Sequence, residues 1–513
     1  MTVEYCAQQE VAPGSSASVP EKIWQPGLPA VLGGLASFAA IWALYFTITE
    51  APVAIKHDMT EAYAWGHEFQ LGYNQHPPFW AWICGLWFSV FPRTNWAFAL
   101  LSSLNAGIGL WGAWMAIGNF VEGRKRIAAW ALLLLTPLYT FYAYRYDANT
   151  IFLSIWPWTL HYFMTSLKSR RIGDAVAFGV FVGLAVMSKY YALILVATCL
   201  LAALQHPLRW KYFADAAPYV SAAVAAVICA PHAWWLLTHQ APPLRYLANV
   251  SGQRWDLVLL HAGRTLSGAL AMNLGVVVVV TLATWTTRRN GIAASGRDTS
   301  DRSLRILATL TLAPLVLTIL SALVLRNPIT PEMTIGTFPL LPLLIIELSG
   351  VRNIDRLYQI SVRLAAVVTL GALVLSPVVA YARTFVWADA RSVPPYREVA
   401  IEATRIWHDR TSLPLAYVAG SYWYENAVAF YSPDRPSAFA FFDYSRNLWV
   451  TPEALARKGL LSVCVSDDIF CLTATARFVT PDSTRTELSL SHVFWGQVAK
   501  PVHFVVTVIP PRL

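Results

Sequence analysis

An all-α polytopic membrane protein with a small α/β domain at its C-terminal end is the fold class this sequence predicts. Three observations predict it. Of 513 residues, 56% are apolar and 13% charged, with 22 Trp and a mean hydropathy of +0.47. Soluble domains carry about 25% charged residues. Eleven segments are apolar over roughly the length that crosses a bilayer. After residue 383 the pattern changes to short β-rich runs. The composition excludes a disordered chain, a small disulfide scaffold and an ordinary soluble enzyme.

Residues 1–26 contain Pro, Gly and Ser and read as a flexible cytoplasmic tail. The first apolar segment, 28–49, is longer than the apolar core of a signal peptide and reads as a retained span. The other candidate spans are 94–118, 127–144, 149–167, 172–187, 190–204, 213–237, 267–286, 304–325, 334–350 and 364–382. An external loop, 50–93, follows the first span. Within it Phe79–Phe91 is too short to cross and rich in Trp and Phe, which favour the membrane interface. It reads as a helix along the outer surface, or as the first half of a long tilted span. The polar, Gly/Ser-containing loop Arg288–Arg302 reads as mobile. The membrane domain thus covers 27–383, and 384–513 forms a soluble outer domain. There Leu415–Val418, Leu460–Val465 and His503–Ile509 read as strands and 397–408 as a helix.

The distribution of basic residues orients the spans. With the N-terminus cytoplasmic, cytoplasmic loops hold 16 basic residues, from Arg124, Lys125 and Arg126 to Arg352, Arg356 and Arg363. The opposite side holds 8: Lys56, Arg93, Arg145, Lys189, Arg245, Arg254, Arg264 and Arg326. This is the positive-inside bias, and eleven spans leave the C-terminal domain outside, periplasmic in a Gram-negative inner membrane. Residues 384–513 carry 12 basic and 12 acidic side chains, so the surplus of +9 lies wholly in the membrane half. That removes the nucleic-acid reading of a basic chain. No P-loop, GxGxxG turn, CxxC or HExxH pattern is present, which disfavours ATP-driven transport. Cys6, Cys84, Cys199 and Cys229 are isolated. Cys464 and Cys471 are seven apart in the outer domain; an oxidising compartment permits a disulfide there, and spacing leaves the pairing open.

The polar residues gather on the outer side. In the first loop Asp58 and Glu61 are three apart and share a face if the chain turns helical after Asp58. Asp58 can be a catalytic carboxylate or the N-cap of a surface helix. The turn Tyr144–Asn149 carries Arg145 and Asp147, either a functional pair or a surface ion pair. Lys189 lies in a turn so short that it sits at the membrane face, where it can hold a phosphate or merely snorkel. Arg245 and Arg264 in loop 238–265, and Arg326 beside Glu332, run against the charge bias and suit an anionic head group. Candidate catalytic residues are Asp58 and Asp147. Candidate substrate contacts are Glu61, His76, Arg145, Lys189, Tyr190, Arg245, Arg264 and Arg326. A carboxylate can orient or deprotonate an acceptor, and cations can stabilise a phosphate leaving group. A slot open to lipid admits a polyprenyl tail.

The stretch HDMTEAYAWGHEFQLGYNQHPPFWAW resembles the first external loop of GT-C membrane glycosyltransferases of the protein-mannosyltransferase and lipid A aminoarabinose-transferase type, families 39 and 83. YRYDANTIFLSIW resembles their second Asp-bearing turn and GLAVMSKYYALIL their Ser-Lys-Tyr turn. NPITPEMTIGTFPLLPLL is similar to the last external loop, and YVAGSYWYENAVAFYSPDRPSAF to the soluble domain of bacterial members. The resemblance implies a donor of polyprenyl-phosphate sugar and an inverting single displacement. The implied acceptor is lipid A, lipopolysaccharide core, another glycolipid or a protein hydroxyl. It matches Asp58 to the acid of the catalytic loop, Asp147 to the second acid and Lys189 to a phosphate contact. Met59 follows Asp58 where many members carry an Asp-Glu pair, and the next acid is Glu61. Some members use a divalent metal; its candidate ligands here are His57, Glu61, His67 and His76.

Two other readings compete. A transporter or flippase of a lipid-linked sugar would place ionisable groups near the midplane, whereas here they lie in loops and at span ends, Glu347 being the main exception. An assembly protein would use outer-domain aromatics such as Tyr422, Trp423 and Tyr424 as an interface.

Overall fold

A computed structural model describes residues 27–289, 300–351, 353–387 and 392–512. The N-terminal tail 1–26 and most of the loop expected to be mobile lie outside the described residues. In chain order the helices of the membrane part are α1 (Leu28–Thr49), α2 (His57–Glu68), α3 (Phe79–Val90), α4 (Asn95–Ile117), α5 (Gly123–Leu133), α6 (Phe152–Ser169), α7 (Ile172–Val186), α8 (Ala192–Gln205), α9 (Arg209–Phe213), α10 (Ala217–Thr238), α11 (Pro242–Val250), α12 (Trp255–Arg289), α13 (Asp301–Leu325), α14 (Leu341–Ser349) and α15 (Ile354–Tyr381). Of these, α1, α4, α10, α12, α13 and α15 are long and apolar enough to cross a membrane; α3, α7 and α8 are shorter apolar helices. The chain is a multi-pass membrane protein.

Each expected span contains a helix; α15 starts at Ile354, ten residues before the expected 364, and three others differ for local reasons. The segment 127–144 is helical only to Leu133, because Pro137 lacks the N–H that would bond the Leu133 carbonyl. The Thr136 hydroxyl donates to that carbonyl instead, at 2.6 Å, and the chain continues in turns to a 3₁₀ segment at Phe141–Tyr144. The segment 334–350 yields only the nine residues of α14, since Pro339 and Pro342 hold the preceding chain in turns. In contrast, α12 begins at Trp255, twelve residues before the expected start at 267. The region read as the loop 238–265 is therefore mostly two helices, α11 and the polar first turns of α12.

On the side opposite the acidic loops, Lys125 of α5 donates to Glu347 of α14 at 3.1 Å, with only 10% and 1% of the two side chains exposed. Glu347, the main acid inside an expected span, is thus paired.

The short helix α3 follows Pro77-Pro78 and buries Trp80, Ala81, Cys84, Gly85 and Phe88. It crosses α2 at Gly66 and Gly85. A Cβ on Gly66 would strike the Ala81 carbonyl and lie 2.6 Å from the Gly85 nitrogen, so the two backbones approach as only glycine allows. This crossing sets where the first turn of α2 points.

The C-terminal part contains α16 (Tyr396–His408), β1 (Tyr417–Gly420), α17 (Tyr424–Tyr431), β2 (Ser437–Ala438), α18 (Pro452–Lys458), β3 (Leu460–Val465), α19 (Ile469–Ala476), β4 (Thr484–Leu490), β5 (Val493–Phe494), β6 (Gln497–Val498) and β7 (Val502–Ile509). The main sheet has the order β2-β1-β3-β7-β4. β1 runs parallel to β2 and β3, while β7 is antiparallel to β3 and β4. Val418, Leu461, Val463, Phe504, Val506 and Val508 make one face of its core with Trp407 of α16. A disulfide joins Cys464 of β3 to Cys471 of α19, the pairing that spacing alone left open.

Helix α17 anchors this domain to the membrane part. Its Phe430 is fully buried against Tyr63, Phe88 and Phe98, with ring centroids 5.2–5.4 Å apart. Arg93 donates to the Phe430 and Ser432 carbonyls at 2.9 and 2.6 Å, and the Tyr431 hydroxyl donates to Asn95 at 3.0 Å.

Candidate functional site

The site forms where three connections meet: the start of α2, the turn before α6 and the 3₁₀ turn Pro331–Thr334. Helix α2 begins at His57, with Lys56 extended at the N-cap and Met59 N–H on the Lys56 carbonyl. Asp58 is therefore in the first turn and not the cap that the spacing suggested. Its carboxylate suits the positive end of the helix, but its oxygens face outward to two side chains. Oδ1 lies 2.7 Å from His57 Nε2, and Oδ2 accepts from Arg145 Nη2 at 2.5 Å. Burial acts to raise the Asp58 pKa, but the His57 and Arg145 contacts outweigh it and hold the carboxyl down at about 2.

Arg145 is the hub of the cluster. Besides Asp58, its Nε lies 3.5 Å from Asp147 Oδ2 and its Nη1 3.8 Å from Glu332 Oε1. Nη1 also donates to the Tyr142 hydroxyl at 3.2 Å, and that hydroxyl donates to Glu332 Oε1 at 3.1 Å. Burial works against the Arg145 charge, yet Asp147, Tyr142 and Asp58 raise its pKa further. The guanidinium is thus a permanent cation spanning three carboxylates.

Asp147 is buried, and its two oxygens differ. Oδ1 accepts from the Asn149 and Thr150 amides at 2.8 and 2.9 Å, closing the turn that leads into α6. Oδ2 is buried without a hydrogen-bond partner among the described residues. Lys189, in the turn between α7 and α8, donates to Asn149 Oδ1 at 2.6 Å. The same turn is tied to α3 by Phe79 N–H on the Met187 carbonyl at 2.9 Å. Burial lowers the Lys189 pKa, opposed by Asp147, Asp58 and Glu332, which places this ammonium in the field of the acid cluster.

Glu61 lies one turn beyond Asp58. Burial first, then Asp58, Glu425 of α17 and Asp147, push its carboxyl up to about 8. His76 is held down to about 3 by burial and by Lys189, so it is neutral at physiological pH. Both belong to the cluster's surroundings.

Other sequence candidates lie elsewhere. The Tyr190 hydroxyl is 2.6 Å from His232 Nε2 of α10, whose Nδ1 meets the Leu71 carbonyl at 2.8 Å. Arg245 is exposed on α11 and donates to Gln240 at 3.3 Å. Arg264 is exposed on α12, and Arg326 is exposed at the C-cap of α13. Among the described residues no hydrogen bond or ion pair links these three arginines to the acid cluster. The metal candidates do not converge either. His57 contacts Asp58 and stacks on Trp423 at 4.2 Å, and His67 pairs with Glu68. No group of three His, Cys, Asp or Glu with metal-binding geometry occurs among the described residues.

Sequence reasoning missed Tyr142, Asn149, Glu332 and Glu425. Glu332 carried a usable signal, an acid after Pro328 and directly after Pro331 at an outer span end, in the same loop as Arg326. Glu425 carried none, because its proximity to Glu61 depends on how α17 docks.

Residues 75–235 match the family model described as dolichyl-phosphate-mannose-protein mannosyltransferase. No curated protein matches the chain. Among solved structures, the chain is similar to ArnT from Cupriavidus metallidurans bound to undecaprenyl phosphate, with TM-score 0.60 and 14% identity over 94% of this chain and 98% of that one. The same protein in the apo state gives TM-score 0.56 and 15% identity, over 93% and 98%. These two matches show a shared fold alone: a polytopic helical membrane part followed by a small C-terminal domain.

Proposed function

We propose that the chain is a glycosyltransferase that moves a sugar from a polyprenyl-phosphate carrier to an acceptor on the outer leaflet. The observation that carries this reading is Asp58, a carboxylate held ionised between His57 and Arg145, with the Lys189 ammonium in the same electrostatic cluster. The fold match to a protein bound to undecaprenyl phosphate supports a donor of that class. The excess of basic residues in the opposite loops supports an outward-facing site in an inner membrane.

In this reading the acceptor hydroxyl is oriented by Asp58, which takes its proton as the oxygen attacks the anomeric carbon. The new C–O bond forms on the face opposite the phosphate, the sugar–phosphate C–O bond breaks, and the electron pair leaves with the phosphate. Configuration inverts. Lys189 stabilises the charge that develops on the leaving phosphate. Arg145 fixes Asp58, with Glu332 and Tyr142 holding its other edge, so little reorganisation is needed during reaction. Asp147 shapes the turn that presents Arg145 and Asn149. The acceptor is lipid A, lipopolysaccharide core, another glycolipid or a protein hydroxyl.

The test uses purified protein in detergent micelles, supplied with extracted polyprenyl-phosphate sugars and total glycolipid. Release of polyprenyl phosphate with a sugar-sized mass gain on an acceptor is expected. A flippase cannot score in micelles, which have no two leaflets, so absence of both products from folded protein overturns the enzyme reading.

A further inference from the structure

Beside the acid cluster the outer domain exposes a group of aromatic rings that the reaction above does not use. Tyr422 is 48% exposed and Trp423 36%. Their rings are 4.8 Å apart, and the Tyr422 ring lies 5.1 Å from Phe441. The Arg446 guanidinium sits 4.6 Å from the Phe441 ring centroid. At the other end, Trp423 stacks on His57 at 4.2 Å and 19°, and His57 contacts Asp58 Oδ1. The rings therefore form a lip running from the proposed reactive carboxylate onto the outer domain.

Three further observations mark this lip as built. First, it occupies the carboxyl ends of parallel strands. Tyr422 and Trp423 leave the end of β1, and Phe441 leaves the end of the parallel β2. The crevice outside such strand ends is where open α/β sheets bind ligands. Second, the backbone is held in conformations that aromatic residues avoid: φ is +78° at Trp423, +58° at Phe441 and +55° at Phe442. Such strain persists where surrounding structure enforces it, and it gathers at binding sites. Here Ser421 N–H donates to Val463 and the Ser421 hydroxyl accepts from Val465 N–H at 2.8 Å, while Phe439 N–H donates to Val418 at 2.7 Å. Third, the two Asp58 oxygens divide the surroundings. Oδ2 faces the Arg145 side, where Lys189 suits a donor phosphate, and Oδ1 faces the aromatic lip.

We propose that Tyr422, Trp423 and Phe441 form the platform on which a sugar ring of the acceptor glycolipid stacks. The proposal rests on the reading of Asp58 as the residue that orients the acceptor. A pyranose presents a patch of C–H groups that packs on the electron-rich face of an aromatic ring, while its hydroxyls reach water or charged neighbours. An exposed aromatic patch rimmed by His57 and Arg446 fits that pattern and not a purely apolar partner. The outer domain then selects the acceptor, and the membrane part holds the donor.

The experiment measures binding without turnover. Oligosaccharide released by mild acid from the host strain's outer-leaflet glycolipid is added to the whole protein in nanodiscs, and saturation transfer to the sugar protons is read by NMR. Wild type and Asp58→Asn are expected to saturate sugar C–H signals. Tyr422→Ala is expected to weaken binding about 3- to 10-fold, as loss of one aromatic contact implies, and Tyr422→Phe to restore it. In the transfer assay Tyr422→Ala then raises the acceptor KM while the donor KM stays in the wild-type range. No saturation with wild type, or wild-type saturation with both Tyr422→Ala and a Tyr422→Ala/Phe441→Ala double variant, overturns the platform. Because Asp58→Asn still binds in this scheme, failure of the transfer reading leaves the binding result separately legible.

Discussion

Arg145 Nη2 lies 2.5 Å from Asp58 Oδ2, joining the turn before α6 to a helix 87 residues earlier in the chain. The same guanidinium reaches Asp147, Glu332 and the Tyr142 hydroxyl. One cation thus fixes the carboxylate placed at the centre of the proposed reaction.

Arg145→Lys keeps the charge and loses the fork that reaches several partners at once. Asp58 is then free to reorient, and kcat is expected to fall about 100-fold, the scale of a misplacement of about 1 Å. Steady-state kinetics with lipid-linked donor check this; a wild-type kcat would show that Asp58 needs no clamp.

Lys189→Ala removes the ammonium that hydrogen-bonds Asn149 and lies in the field of the acids. The donor KM should rise or kcat fall by roughly 10- to 100-fold, the size of a lost charge-assisted contact of about 1.5–3 kcal/mol. If neither changes, Lys189 only snorkels.

Glu61 gives a pH signature. Its carboxyl is raised to about 8, above the ordinary glutamate value. Between those values the folded chain binds more protons than the unfolded one. Its stabilising contribution is full below the ordinary value and is lost as pH rises through about 8. Wild-type Tm should therefore decline from about pH 6 to about pH 9, and Glu61→Gln should flatten that decline. Glu425, also raised to about 8, supplies the remaining slope. Thermal scans at several pH values decide it; parallel curves for both proteins would exclude Glu61.

Phe430→Ala removes a fully buried ring from the contact between α17 and the α2–α4 region. A loss of about 3–5 kcal/mol is expected for such a cavity, seen as a lowered Tm. If α17 docks independently of this ring, the Tm will not move.

Cys464 and Cys471 report on sidedness. In intact cells they should resist alkylation until a reductant is added, as a disulfide in an oxidising compartment requires. Immediate alkylation would place the outer domain in a reducing compartment.

Much of this architecture follows from local pattern. Apolar length located the helical segments, and Leu460–Val465 and 397–408 are a strand and a helix because alternation and 3.6-residue spacing act over a few neighbours. The pattern failed where backbone chemistry intervened, as at Pro137, and where a helix runs on through polar residues, as in α12. Asp58, Asp147 and Lys189 were visible as charges at three span ends. The role of Arg145 was not, because two residues from Asp147 it reads as a local ion pair, and its contacts with Asp58 and Glu332 exist only once α2 and the Pro331 turn are packed. The charge bias singles out Arg245, Arg264 and Arg326, which are exposed, because it carries no distance.

The central claim is that Asp58 serves the transfer step. The most direct measurement is transfer by Asp58→Asn in membranes supplied with lipid-linked sugar, beside its donor affinity and Tm. The asparagine keeps the shape and loses the charge, so transfer should fall by at least about 100-fold, the low end for positioned acid–base groups, with donor binding retained. Undiminished transfer would contradict the account.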